Sequence, residues 1–298
     1  MLRRDRGLLL ALVVLGLTIA GSSAAPPTTG NAPRYHQGEG DRARYALSAT
    51  ITATGLVNEA KTGRASFSFD TSCAVEFVGA TSDGVMRVQA ELAPCSVTIK
   101  SQGKPRTARM EGASMAYDVT SRGLVQTAEL LSAEPPLVPE LGIIVTPDDA
   151  FLVSAVGVLP TKPLQAGDKW HGTVALPSLS EPGAVVSAAY DSKVLGRVAY
   201  AGRSCWRITT KLRSSREESQ SASCGRWNAH AKLTQTGTKE WLFDPEAGLV
   251  MKMDGKDSLV ISLLLEDVVE GQNEAKLTAT IQSHSRLTEL NGEKIAAK

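Results

Sequence analysis

The sequence contains few aromatic residues and no excess of charge of either sign. Phenylalanine, tryptophan and tyrosine together make up 5% of the 298 residues, which argues against a sugar-binding cleft or a base-stacking platform built from many rings. The 32 lysine and arginine residues balance 31 aspartate and glutamate residues, so no overall charge draws the chain to nucleic acid or to an anionic surface. We therefore predict no nucleic-acid partner.

Residue patterns that would identify a metal, nucleotide or nucleophile site are also missing from the sequence. The four histidines, His36, His171, His230 and His284, are far apart and form no HxH or HExxH spacing, which zinc sites commonly use. No GxSxG elbow and no P-loop occurs. We therefore predict no catalytic residue, no metal ligand and no cofactor. One alternative stays open, a hydrolase that uses His171, in GDKWHG, together with scattered acidic residues.

The N-terminus has the three parts of a secretory signal peptide. Three arginines precede an apolar run from residue 8 to residue 20, and Ser22 and Ala24 supply small residues at the positions that the peptidase reads. Cleavage after Ala24 is predicted. The apolar run of about 13 residues is shorter than the roughly 20 that a membrane-spanning helix needs. We therefore predict a secreted or periplasmic protein with no transmembrane segment after cleavage.

The use of cysteine agrees with export. The four cysteines, Cys73, Cys95, Cys205 and Cys224, form no CxxC pair, and an even number behind a signal peptide favours disulfides. Three pairings are possible. The local one joins Cys73 to Cys95 and Cys205 to Cys224, and each bond would close a loop of about 20 residues, which the chain-entropy model values at about 3 kcal/mol.

Strand patterns extend over most of the chain after residue 44. Apolar and polar residues alternate with the period of two that is typical of a half-buried strand. The apolar sets are Tyr45, Leu47, Ala49, Ile51 and Ala53; Ala65, Phe67 and Phe69; Met86, Val88, Ala90 and Leu92; Trp206, Ile208 and Leu212; Leu259, Ile261, Leu263 and Leu265; and Leu277, Ala279 and Ile281. The last two sets flank the turn-rich VVEGQNEA, which predicts an antiparallel hairpin.

One helix is predicted between these strands. Thr146, Pro147, Asp148 and Asp149 give a cap residue, a proline at the first helical position and acids in the first turn. Apolar residues follow at helical spacing, among them Phe151 and Leu152. The two aspartates are interpreted as favourable charges at the positive end of the helix dipole rather than as catalytic groups.

The stretch 241–250, WLFDPEAGLV, places the carboxylates of Asp244 and Glu246 beside two aromatic residues. An acidic site and a turn are both conceivable. In DPEAG an aspartate precedes proline and a glycine ends the reversal, which is the pattern of a type I turn with a left-handed glycine. Residues 117–125, YDVTSRGLV, form a weaker copy without either acid. We interpret both as turns, each following a cysteine pair, and predict an internal duplication.

The segment LPTKPLQAGDKW, together with WLFDPEAGLV, resembles sequences in exported bacterial β-proteins. Those proteins are in turn similar to lipoprotein carriers of the LolA and LppX type. The resemblance implies a mainly β (α+β) fold, with two similar curved antiparallel sheets in tandem and one covering helix between them. The domains would be a signal peptide (1–24), a flexible spacer (25–44), a first β-rich half (45–134), a helix-containing linker (135–182) and a second β-rich half (183–298).

These observations favour an exported, non-enzymatic envelope or binding protein. An apolar groove between sheet and helix would be lined by Phe67, Phe69, Phe151 and Leu152, and an ordinary closed core is the alternative for the same residues. The predicted partners are a hydrophobic small molecule or another envelope protein.

Overall fold

The fold is known from a computed structural model. It describes residues 32–36, 38–57, 60–81, 84–101, 104–131, 137–138, 143–144, 157–177, 185–221, 228–266 and 274–296. The strands are β1 Arg42–Val57, β2 Ala60–Ala80, β3 Val85–Leu92, β4 Cys95–Lys100, β5 Arg106–Met110, β6 Ala113–Thr120, β7 Val125–Leu130, β8 Leu137–Val138, β9 Ile143–Ile144, β10 Lys169–Pro177, β11 Val185–Tyr200, β12 Arg203–Ser221, β13 Asn228–Asp244, β14 Leu249–Glu266, β15 Glu274–Leu290 and β16 Glu293–Lys294.

Fourteen of these strands belong to one antiparallel sheet. Its main path runs β10-β11-β12-β13-β14-β15-β1-β2-β3-β6-β7, with β4, β5 and β16 attached beside it, while β8 and β9 form a separate pair. The prediction of a mainly β fold is confirmed, and so is the β14–β15 hairpin. The two halves do not form separate sheets. Strand β1 pairs with β15 from Ala43 opposite Leu290 to Val57 opposite Ala275, and this ladder makes them continuous.

The sheet is rolled, because β7 and β10, the two ends of its path, contact each other. Alternate residues therefore point to an enclosed interior, as the period of two requires. On β1 these inner residues are Tyr45, Leu47, Ala49, Ile51 and Ala53, all buried. The predicted inner faces of β2 and β3 are likewise buried at Phe67, Phe69, Met86, Val88, Ala90 and Leu92.

Trp206 is an exception to the predicted alternation. Its side chain is only half-buried, and the guanidinium carbon of Arg197 lies 4.5 Å from the centre of its ring. The neighbouring strand β11 shifts register against β12 between Val194 and Gly196.

The predicted covering helix is not supported. No α-helix occurs in the part of the chain that the structure describes. Thr146, Asp148, Phe151 and Leu152, on which that prediction depended, lie outside the described residues. What closes the interior among the described residues is the sheet itself, because a rolled sheet buries its apolar face against its own opposite side.

The same corner precedes the first strand of each half. Residues 38–41 lead into β1 and residues 165–168 lead into β10. In each corner the aspartate carboxylate accepts a hydrogen bond from the backbone N–H three residues earlier, at 2.6 Å for Asp41 and 2.9 Å for Asp168. Gly40 and Gly167 have φ values of 84° and 88°, a left-handed conformation that glycine adopts without strain. The two corners therefore share one hydrogen bond and a left-handed glycine.

Each corner is hydrogen-bonded to a bulge in the second strand of its half, β2 or β11. Phe77 of β2 accepts from Gly40 N at 2.8 Å, and Val194 of β11 accepts from Gly167 N at 2.9 Å. The ladder of each strand shifts register just after that residue. The extra residues, Val78 and Leu195, are both 43% exposed. A corner, a bulge and an outward apolar residue thus recur in both halves.

One end of the rolled sheet is filled by a segment that the sequence assigned to a flexible spacer. Tyr35 is 4% exposed, donates from its hydroxyl to the carbonyl of Gly157 at 2.8 Å, and packs edge-on against Phe243 at 5.6 Å between ring centres. Its backbone N–H bonds to the carbonyl of Ser121 at 2.7 Å, and Leu159 bonds to the next carbonyl, that of Arg122, at 2.9 Å. This end is therefore closed by contacts between both halves.

Candidate functional site

A buried ion pair lies on the inner face of the second half. Nζ of Lys239, on β13, is 3.4 Å from Oδ2 of Asp257, on β14, and the side chains are 0% and 2% exposed. The strand register positions them diagonally, with Lys239 opposite Gly255 and Asp257 opposite Gly237. Each charged side chain therefore faces a glycine on the neighbouring strand.

The two glycines make room for the pair. A Cβ atom at Gly237 would collide with the carboxylate of Asp257, and one at Gly255 would lie 2.6 Å from Oγ of Ser283 and 3.3 Å from Cδ of Lys239. Real Cβ atoms do not approach other atoms this closely without a shift of the neighbour. Glycine is thus required at both positions for the charged side chains to keep their places.

Burial dominates the electrostatics of the lysine. Removal from water disfavours the ammonium form and lowers the pKa of Lys239, while the nearby Asp257 carboxylate opposes this by favouring the charged form. Attraction between the two charges is strong in a low-dielectric interior, but it offsets the loss of hydration only when the remaining hydrogen-bonding capacity is also used.

The remaining hydrogen-bonding capacity of the pair is not used within the described part of the chain. Nζ of Lys239, Oδ1 of Asp257, Nε2 of Gln235 and Oγ of Ser285 are buried and have no hydrogen-bond partner there. All four residues lie on β13, β14 and β15 and are less than a tenth exposed. Buried polar atoms in proteins are almost always paired with protein, water or ligand, so this patch of the inner face has unsatisfied donors and acceptors.

A neighbouring set of polar side chains is satisfied. Oγ1 of Thr210 accepts from the indole N–H of Trp241 at 3.0 Å and lies 2.8 Å from Oγ of Ser192. All three side chains are buried. Buried polar groups on β12, one strand away, therefore have partners, whereas Lys239 Nζ, Asp257 Oδ1, Gln235 Nε2 and Ser285 Oγ have none among the described residues.

The inner-face residues in register with Lys239 from β11 to β1 have small side chains. They are Ser192, Thr210, Gly255, Ser283 and Ala49, and the row continues on β2 with Phe69. The next row toward the closed end contains Val194, Ile208, Trp241, Met253, Ser285 and Leu47. The long lysine side chain thus has small inner-face neighbours on the strands on either side of it.

The sequence carries a signal for this pair in the alternation of its strands. Lys239 shares its alternation with Trp241 and Phe243, and Asp257 shares its own with Leu259 and Met253. A charged residue in phase with the apolar face of a strand is unusual, because charged side chains are almost never fully buried unless they are paired.

The structure describes two of the four residues of the predicted groove. Phe67 and Phe69 are each 3% exposed and belong to the hydrophobic core. Phe151 and Leu152 lie outside the described residues. The apolar groove therefore remains a prediction, and the two described members are packed as core residues.

Three of the four cysteines lie among the described residues, and all three are free thiols. Cys73 and Cys205 are buried and Cys95 is half-buried, while Cys224 lies outside the described residues. Burial, with a smaller contribution from the charge of Asp244, raises the pKa of Cys205 to about 12. The structure also changes the alignment of the repeat, since Cys73 is on the second strand of its half and Cys205 on the third. The predicted disulfide pairing remains a prediction.

The acids of WLFDPEAGLV form a turn, as predicted. Asp244 is 1% exposed; its Oδ1 accepts from the backbone N–H groups of Glu246 and Ala247 at 2.9 and 3.2 Å, and its Oδ2 accepts from Arg203 at 2.9 Å. Gly248 has φ of 64°. A carboxylate with these bonds serves as the structural core of the turn.

His171, named for the alternative hydrolase, lies exposed on β10 opposite Asp191. That carboxylate is bonded to Arg213 at 3.1 Å. Within the described ranges, no group of three or more histidine, cysteine, aspartate or glutamate residues is placed to hold a metal ion. None of the described residues forms a helix that is both long and apolar enough to cross a membrane.

Comparisons with known proteins give no family. No family model matches the sequence, and no curated protein matches it. Among solved structures, DynF from the dynemicin biosynthesis pathway of Micromonospora chersina is 12% identical and covers 95% of each chain, with a TM-score of 0.22. An outer membrane channel from Pseudomonas putida F1 is 8% identical over 89% of this chain and 100% of that chain, with a TM-score of 0.26. Similarities of this size carry no argument about this chain.

Proposed function

We propose that the chain is an exported, non-enzymatic binding protein that takes a small molecule into the interior of its rolled sheet. The observation that carries this proposal is the patch of buried, unpartnered polar atoms around Lys239 and Asp257. A buried ion pair is often no more stable than hydrophobic residues of similar volume, and titratable groups with perturbed pKa values cluster at functional sites.

A binding role is favoured over the hydrolase alternative because of where the polar groups lie. The buried pair has no histidine, cysteine or hydroxyl hydrogen-bonded to it among the described residues. His171 is on β10, exposed, while Lys239 is on β13, facing inward. An activated nucleophile needs a base within hydrogen-bond reach, and none of the described residues forms such an arrangement with the buried pair or with His171.

We also propose that the two halves arose by duplication of one strand meander. The shared corner, the shared bulge and the turns that contain Gly123 and Gly248, with φ values of 87° and 64°, support it. Export through the N-terminal signal supports disulfide formation between Cys73 and Cys95 and between Cys205 and Cys224. Non-reducing peptide mapping of protein from its native compartment tests the pairing, and crosslinks between the halves would contradict it.

Native mass spectrometry of the full mature chain, purified from its own compartment under non-denaturing conditions, tests the binding role. We expect a discrete added mass that is lost on denaturation. The matched control is the same protein after unfolding and refolding in clean buffer. An unliganded mass in every preparation, together with no uptake from a metabolite extract, would contradict the proposal.

A further inference from the structure

The ion pair presents a hydrogen-bond donor and an acceptor side by side. Oδ2 of Asp257 is 3.4 Å from Nζ of Lys239. Oδ1 of the same carboxylate and the ammonium group itself lack hydrogen-bond partners in the described part of the protein. A bound molecule that satisfied both atoms would remove the cost of leaving them unpaired, which is about 1–3 kcal/mol for a neutral group and more for a charged one.

The inner-face neighbours of the pair carry no further charge. The flanking inner-face residues on the neighbouring strands are Leu212, Thr210, Gly237, Gly255, Ile281 and Ser283. Lysine and aspartate together are neutral when both are ionised. An anion or a cation entering this interior would lose its hydration without meeting a net opposite charge, and an isolated buried ion is costly. An uncharged polar group fits the pair better.

We propose that Lys239 and Asp257 bind an uncharged ligand through a carboxamide-type group. Its carbonyl oxygen accepts from Nζ of Lys239, and its N–H donates to Oδ1 of Asp257. This inference rests on the proposed binding function and names the chemistry of that site. Gln235 lies four residues earlier on β13 and its Nε2 is also unpartnered, about 13 Å away along the strand at 3.3 Å per residue. It gives a longer ligand a second contact.

Three small probes of nearly the same shape test the chemistry. Benzamide is uncharged and has both a donor and an acceptor, benzoate is an anion, and benzylamine is a cation at neutral pH. Binding to the full mature chain is measured by ligand-observed and protein-observed NMR titration. We expect benzamide to bind at least about tenfold more tightly than either charged probe, a difference of about 1.4 kcal/mol. Tighter binding of benzoate or benzylamine would overturn the inference.

A paired replacement tests the site. In Lys239→Met/Asp257→Val both charges are removed together, so no orphan charge is left and the fold is retained. We expect this variant to lose the preference for benzamide. The matched control is Arg207→Met/Glu240→Val, which removes an exposed ion pair between β12 and β13. It should bind all three probes as the wild type does.

The outcomes separate this inference from the proposed function. If the Lys239/Asp257 double variant keeps the preference for benzamide, the ligand binds elsewhere and the inference is wrong. If no probe binds while the native protein carries a co-purified molecule, the binding function stands and the carboxamide assignment fails. If no probe binds and no molecule co-purifies, both fail. Circular dichroism of each variant confirms that the sheet is intact before binding is compared.

Discussion

At the scale of single residues, the interior of the rolled sheet is least tolerant of an orphan charge. Lys239→Met leaves the Asp257 carboxylate buried and alone, so we expect a loss of about 3 to 5 kcal/mol in the free energy of unfolding. The Lys239→Met/Asp257→Val variant removes both charges and should be close to the wild type or more stable. Urea denaturation at neutral pH measures both. Equal destabilisation in the two variants would show that lost packing, not charge, causes the effect.

The same lysine makes stability depend on alkaline pH. Burial lowers the pKa of Lys239 in the folded protein, whereas an unfolded lysine has a pKa of about 10.4. Between the two values the unfolded chain binds more protons, so folding stability rises with pH in that window and is independent of this group below the folded value. We expect the urea midpoint of the wild type to rise relative to the double variant as the pH approaches about 10. A relative fall would contradict the direction of the shift.

Gly237 has no room for a side chain, because a neighbouring carboxylate occupies that space. In Gly237→Ala the new Cβ must displace the carboxylate of Asp257, which is fully buried and held by Lys239. We expect a loss of about 1 to 3 kcal/mol, the usual cost of overpacking. Gly79→Ala is the matched control, because nothing lies within 4 Å of a Cβ there. Equal thermal stability of the two variants would show that the carboxylate can move freely.

At the scale of elements, the corners before β1 and β10 should contribute equally if they are copies of one unit. Asp41→Ala and Asp168→Ala each remove the carboxylate that accepts the backbone N–H of Gly38 or Gln165. Loss of a hydrogen bond to a charged group typically costs about 1.5 to 3 kcal/mol. We expect similar decreases in melting temperature for the two variants. A large effect at one corner and none at the other would argue against equivalent roles.

Individual strands and turns were predictable because their signals are local. The alternation from Tyr45 to Ala53 and the DPEAG turn each occupy one short stretch, and both were confirmed. The joining of the two halves into one sheet was not predictable. The β1–β15 ladder pairs residues from opposite ends of the chain, and the alternation within β1 or β15 does not show which strand each one pairs with. The Lys239–Asp257 pair depends on register between strands, because each charge needs a glycine opposite it.

At the scale of the whole molecule, the continuous sheet should make unfolding cooperative. Unfolding the first half alone would break the β1–β15 ladder and expose the inner face of β15, including Ala279 and Ile281. It would also remove Tyr35 from its packing against Phe243. We therefore expect one transition, with coincident curves from different probes, as two-state unfolding requires.

The placement of tryptophan makes this test direct. All four tryptophans lie at or after Trp170, so their fluorescence reports the second half, whereas far-ultraviolet circular dichroism reports the entire sheet. Ile51→Ala removes a fully buried side chain of β1, which should cost about 2 to 5 kcal/mol. We expect the circular dichroism and tryptophan transitions of this first-half variant to shift together toward lower stability, because the halves share one sheet. A circular dichroism transition that moves while the tryptophan transition stays in place would show that the halves unfold independently.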